Sequence, residues 1–189
     1  MSRALAFCLL LAAGCPAPPA SQGLDPANDP NTSTILDYNQ FVCSVMPVVI
    51  RRCSYLACHG NPLHAFRVYS PGKLRLVDDG TRNGRDGMLT ANEVQLNFES
   101  ASGLVLTATA AERMAPDLQK VLLLGKPLKR SAGGAEHHGV GIFPVYPAKS
   151  TAEDLEFTAL VQWVQGTAQP KPVDSACMDV FSNLGLTPR

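Results

Sequence analysis

Cys53-Ser54-Tyr55-Leu56-Ala57-Cys58-His59-Gly60 is the stretch on which the reading of this chain turns. It sets two thiols and an imidazole on one short segment. Each thiol can add to a vinyl group of a porphyrin, and the imidazole beside the second can reach the iron. The usual spacing for such attachment is C-x-x-C-H; here four residues stand between the cysteines. The same residues admit a plainer reading, a local disulfide or thiols paired elsewhere, with His59 a loop histidine bonded to a backbone carbonyl. A bridge across so short an offset closes only where the backbone turns, because its Cα atoms must come within ~7 Å.

Upstream, Met1-Ser2-Arg3 carries one positive charge and Ala4 to Ala13 is apolar without a break. A membrane-spanning helix needs ~20 apolar residues, so this run predicts an export signal instead. Leu11-Ala12-Ala13-Gly14-Cys15 resembles a bacterial lipobox, in which Cys15 becomes the lipidated first residue and holds the protein to a membrane. It departs from that pattern at Ala12, where Leu is commoner. Ordinary cleavage near Ala20 is the alternative. Pro16 to Thr34 lacks a hydrophobic period and reads as a tether. The expected division is a signal peptide over 1–14, a flexible tether over 15–35, a folded domain over 36–168 and a tail over 169–189. The expected location is extracytoplasmic, on the periplasmic side of a membrane or at the cell surface.

The chain has 189 residues, 17% of them charged, with formal net charge zero. It is long enough for one domain with a real core and has no basic excess to hold nucleic acid. Fifteen prolines and fifteen glycines predict many turns. Export leads to a compartment where disulfides persist. Cys8 leaves with the signal and Cys15 takes lipid, so Cys43, Cys53, Cys58 and Cys177 remain. Two thioether attachments plus a Cys43–Cys177 bridge use all of them, and so do two disulfides; parity does not choose.

Along the domain, Leu36 to Arg52 begins the folded part, with Ser44 as a candidate cap of a helix that holds Pro47 in its first turn and runs into Cys53. His64 to Val77 alternates Phe66, Val68, Leu74 and Leu76 about Ser70-Pro71-Gly72, which predicts a short hairpin. Ser70-Pro71-Gly72-Lys73 also matches S-x-x-K, but the companion motifs of penicillin-binding enzymes are missing. Asp86-Gly87 to Glu93 looks like the second half of an EF-hand loop, yet Arg82 and Gly84 fall where oxygen ligands are needed. Thr90 and Glu93 instead predict a capping box on a helix ending near Gly103. Ala108 to Leu124 predicts a second helix, interrupted at Pro116 and stopped by Gly125-Lys126-Pro127. Ser131 to Gly141 reads as a Gly/His loop. A last helix runs from Thr151, with Trp163 in the core and Gly166 as its stop.

The order of these parts resembles a cytochrome c-like domain over about Leu36 to Thr167. A helix leads into Cys…Cys-His-Gly, and a final amphipathic helix carries Leu160-Val161-Gln162-Trp163-Val164-Gln165-Gly166. Between them, Leu122-Leu123-Leu124-Gly125-Lys126-Pro127-Leu128 and Gly133-Gly134-Ala135-Glu136-His137-His138-Gly139 look like exported bacterial proteins with a degenerate haem-c domain. The resemblance implies a mostly α, cytochrome c-like fold with a small β-hairpin insertion. It implies covalent haem c on Cys53 and Cys58, His59 as proximal ligand, and one-electron exchange with a redox partner protein rather than catalysis. The family's Met-Pro before the last helix is missing. The sixth ligand is sought first at His137, then at His138 or Met114, then at Met88; an open iron is the remaining case. A haem-free, disulfide-stapled binding or structural lipoprotein of the same fold is the rival, and a small haem enzyme with open iron a third reading.

Overall fold

Asp37 opens the first helix by accepting the Gln40 backbone N–H on its carboxylate at 2.6 Å. The structure is a computed structural model that describes residues 36–76, 87–114, 118–135, 137, 152–166 and 175–183. Helix α1 is one rod in three pieces, an α-turn at Tyr38–Gln40, a π-turn at Phe41–Val45 and an α-helix at Met46–Cys53. Ser44 therefore lies inside the rod and caps nothing, contrary to expectation. Pro47, which has no N–H to give, sits in the first turn of the last piece. The wide turn immediately before it, closed by the Met46 N–H donating to Phe41 O, lets the rod continue through a residue that cannot donate.

That π-turn is the hub of the domain. It packs against α2 (Ala91–Leu106), α5 (Ala152–Gln165) and α6 (Ser175–Asn183). Between α2 and α5 the chain makes α3 (Ala110–Met114), a 3-10 turn at Leu118–Lys120, α4 (Leu122–Gly125) and a second 3-10 turn at Arg130–Ala132. Phe41, Val42 and Val45 are buried on the hub, as are Phe157, Trp163 and Val164 on α5. Trp163 lies 5.2 Å from Phe41 and 6.1 Å from Phe98, ring centre to ring centre. Its indole N–H donates to Asp37 O at 2.9 Å, so the polar edge of a fully buried ring is satisfied. Gly166, with φ of 63°, ends α5 as expected.

Helix α2 starts on the expected capping box. Thr90 Oγ1 accepts from the Glu93 N–H, and the Glu93 carboxylate accepts from the Thr90 N–H. Val94, Asn97, Ala101 and Val105 recur at helical spacing on its buried face. The helix does not stop near Gly103 but runs on to Leu106. Gly103 stands on the open side, where an added Cβ would touch nothing. Its cost there is the ~1 kcal/mol of backbone entropy, less than the packing of the buried face returns.

The hairpin expected over 64–77 is present only as a turn. Lys73 N–H donates to Ser70 O and Ser70 N–H to Leu74 O, with Gly72 at φ 71°, but no strand occurs among the described residues. The reason lies in α2, whose side chains take the place of a partner strand. Asn97 bonds both the N–H and the carbonyl of Tyr69, Ser100 Oγ accepts from Arg67 N–H, and Glu93 accepts from Leu76 N–H.

The C-terminal tail is not merely pinned; it forms α6, and Cys177 on that helix is disulfide-bonded to Cys43 of the hub with Cα atoms 5.3 Å apart. Among the described residues no helix is long and apolar enough to cross a membrane. The expected signal peptide and tether, with Cys15, and also Asp86, Thr151 and His138 lie outside the described residues.

Candidate functional site

The end of α1 delivers Cys53 into a tight loop. His59 N–H donates to Cys53 O at 3.1 Å, while the Cys58 and Gly60 N–H groups both donate to Tyr55 O. Gly60 packs so closely on this turn that a Cβ there would collide with the Ser54 carbonyl oxygen. Buried Ser54 gives its hydroxyl proton to Ile50 O and accepts from Lys73 Nζ at 2.8 Å. The same ammonium sits 4.2 Å over the Tyr55 ring. Lys73, reached from the S-x-x-K pattern, thus bonds Ser54 and clamps the cysteine loop.

Cys53 and Cys58 are free thiols. Burial pushes the Cys53 thiol up to about 12, with the neighbouring Cys58 adding to the rise and Arg52 opposing it. Both thiols lie on the one short stretch from the end of α1 to Gly60.

His59 is half-buried, and its Nδ1 lies 2.8 Å from Phe66 O. A carbonyl can only accept, so Nδ1 carries the proton and Nε2 presents its lone pair. Burial lowers the His59 pKa. The Phe66 carbonyl pulls it the other way, and His137, His64 and Lys126 nearby lower it further. The ring is kept neutral, the form that binds metals. Phe66 also packs edge-on against it at 4.6 Å.

Two further imidazoles gather here. His137 lies nearly parallel to His59, 8° between planes and 5.4 Å between centres, and His64 meets it edge-on at 5.7 Å. His137 was sought at this place; His64, given no duty from sequence, was missed. His137 is carried in by a turn in which Gly134 comes so near Leu128 that a Cβ would strike the Leu128 carbonyl, and Ala135 N–H donates to Gly125 O. Met88 and Met114, the thioether candidates, are both more than half exposed. Among the described residues no group of three or more His, Cys, Asp or Glu converges as a ready metal site.

The EF-like pattern is used differently. Arg75, its side chain 5% exposed, binds the Glu93 carboxylate through two nitrogens at 2.9 and 3.0 Å. It also donates to the Gly87 and Met88 carbonyls at 2.9 Å. A guanidinium thus takes the oxygens that a calcium loop would aim at its ion.

The residues fit a covalently held haem in their chemistry. Two unpaired sulfurs and a neutral imidazole with a free Nε2 share one rigid loop. No protein-family model, curated protein or solved structure matches this chain.

Proposed function

We propose that this chain is an extracytoplasmic, lipid-anchored, monohaem protein of cytochrome c-like fold that carries single electrons between redox partner proteins. The observation that carries the proposal is the 2.8 Å contact from His59 Nδ1 to Phe66 O, on the loop that also holds two free thiols. A metal-binding histidine is commonly oriented by such a bond from its other nitrogen, which fixes the tautomer and raises ligand basicity. Cys53 and Cys58 would hold the porphyrin and His59 its iron, with His137 or His138 as the candidate second ligand. When bound, haem c supplies a one-electron couple whose potential is set by its axial ligands, burial and hydrogen bonds.

The chain's own residues supply the rest. The Phe66 carbonyl holds the imidazole in register. Lys73 and Ser54 keep the attachment loop from unwinding. Leu56 and Leu63, 63% and 89% exposed on either side of His59 in the chain, provide apolar surface for a flat macrocycle to cover. A lipid on Cys15 and the tether behind it would keep the domain at a membrane, where partners also reside.

A second reading is a haem-free lipoprotein held by disulfides that binds or supports other molecules. The observation favouring it is the burial of Cys53, whose thiol is pushed up to about 12 and so resists reaction in the native state. Expression alongside a haem-attachment system, denaturing electrophoresis and a stain for covalent haem separates the two. The first reading expects a stained band that His59→Ala weakens and that the joint Cys53→Ala, Cys58→Ala change abolishes. A colourless protein whose intact mass carries no porphyrin adduct establishes the second.

A further inference from the structure

Arg113 on α3 is 2% exposed, and its Nε and Nη2 have no hydrogen-bond partner. Among the described residues its one bond is long, from Nη1 to Ala108 O at 3.5 Å. A buried guanidinium left this way is among the costlier arrangements in a protein. The two orphaned nitrogens are not an arbitrary pair. Nε–H and one Nη2–H run parallel along the side of the guanidinium, the fork that matches the two oxygens of a carboxylate.

The protein does not fill that fork with its own described acids. Glu112, the neighbour in sequence, closes a capping box on Thr109 and pairs with Lys120 at 3.1 Å. Asp37 caps α1, Glu93 belongs to Arg75, Glu99 accepts from Gln95, and Glu156 is held by Arg51 and Arg52. Asp179 is exposed. Every one of these other than Asp179 already has a partner, while Nε and Nη2 of buried Arg113 meet no acid among the described residues. Contrast Arg75, equally buried, whose Nε and Nη2 both meet carboxylate oxygens.

We infer that Arg113 is a receptor for a carboxylate brought by a ligand, which binds the Nε/Nη2 edge side-on beneath α3. The inference stands apart from the haem reading: it needs neither Cys53, Cys58 nor His59. The carboxylate has two chemical sources, a free small carboxylic acid or a carboxylate belonging to a covalently attached tetrapyrrole.

The test titrates sodium acetate and sodium succinate, with sodium chloride and phosphate as controls, into the purified haem-free protein. Arginine-labelled samples report the Arg113 Nε–H resonance, assigned through its own backbone. The expected result is a saturable downfield shift of that resonance and slowed exchange of its proton, with chloride inert. Melting temperature should rise by roughly 5–10 °C at ~100-fold excess over the dissociation constant. Arg113→Gln should abolish the rise and Arg113→Lys should keep only a fraction of it. If the Gln variant fails to fold, the wild-type resonance decides alone. A resonance already shifted in haem-loaded protein, and indifferent to acetate there, assigns the carboxylate to the tetrapyrrole; one that still responds assigns it to a free acid. No saturable response to either carboxylate in haem-free or loaded protein, or an equal response to phosphate, overturns the inference.

Discussion

The Asn97 carboxamide clasps the backbone of Tyr69: Tyr69 N–H donates to Oδ1 at 2.8 Å, and Nδ2 donates to Tyr69 O at 2.9 Å, both out of water. One side chain on α2 thereby does what a ladder of strand bonds would do. It ties the turn segment, and through it Lys73 and the cysteine loop, to the helical core. Asn97→Ala leaves two buried backbone groups unsatisfied at a cost of about 2–4 kcal/mol. Urea unfolding should show that loss as a lower midpoint at unchanged slope. A change below half a kcal/mol would mean water replaces the clasp.

Acid should unfold the protein through Glu93. Burial alone would raise its pKa, but bonds from Arg75, Thr90 N–H and Leu76 N–H hold it down at about 2. A carboxylate depressed in the folded state contributes stability that is whole above its ordinary pKa near 4.5 and drains away as pH falls toward 2. Unfolding midpoints measured from pH 6 to pH 2.5 should drop across that window, and Glu93→Gln should flatten the drop while lowering the plateau. A Gln variant with the wild-type acid slope would place the titrating group elsewhere.

Thiol labelling should separate the two free cysteines of haem-free protein. Cys53 is pushed up to about 12 by burial, so its thiolate is scarce at pH 8, although both thiols are partly exposed. Iodoacetamide followed by peptide mass spectrometry should find Cys58 modified first and Cys53 only after denaturant is added. Equal rates in native protein would contradict the burial of Cys53.

The Cys43–Cys177 bridge closes a loop with a sequence separation of 134. A cross-link of that span stabilises by about 2–5 kcal/mol, chiefly by restricting the unfolded chain. The double change Cys43→Ser, Cys177→Ser should therefore lower the unfolding midpoint and loosen α6, read as faster amide exchange at Val180. Haem staining should persist in this variant, because the bridge lies apart from the His59 loop.

Gly60→Ala should damage the site without touching any ligand. Its methyl would meet the Ser54 carbonyl, so the turn that presents His59 must open. The expected outcome is at least about tenfold less covalent haem at equal protein yield, against little change for Gly103→Ala, where the space is free. Equal loading in both variants would show that the tight turn is not needed.

Much of this was written in local sequence. Thr90 with Glu93 spelt a capping box and Gly166 a helix stop, because those signals act within one turn of chain. Trp163 read as core from its place on an apolar face. Parity leaves the use of the four cysteines open, and only the fold joins Cys43 to Cys177. The hairpin was legible merely as a turn: alternation of Val68 and Leu74 is what an extended chain against a core produces, whether its backbone bonds go to a strand or to Asn97. His64 and Arg113 gave no signal at all, since a histidine or arginine looks the same in sequence whether it meets solvent or another ring.

The order of residues by itself determined which groups could do chemistry, two sulfurs beside an imidazole, and where α2 starts and α5 stops. Tertiary structure decided what those groups became. A carbonyl seven residues on chose the His59 tautomer, α2 replaced a strand, Arg75 took the oxygens of an ion site, and Arg113 was left without an acid among the described residues. The physical reason is range: caps and turns are settled among neighbours, whereas desolvation and hydrogen-bond partnership depend on whatever the fold brings alongside.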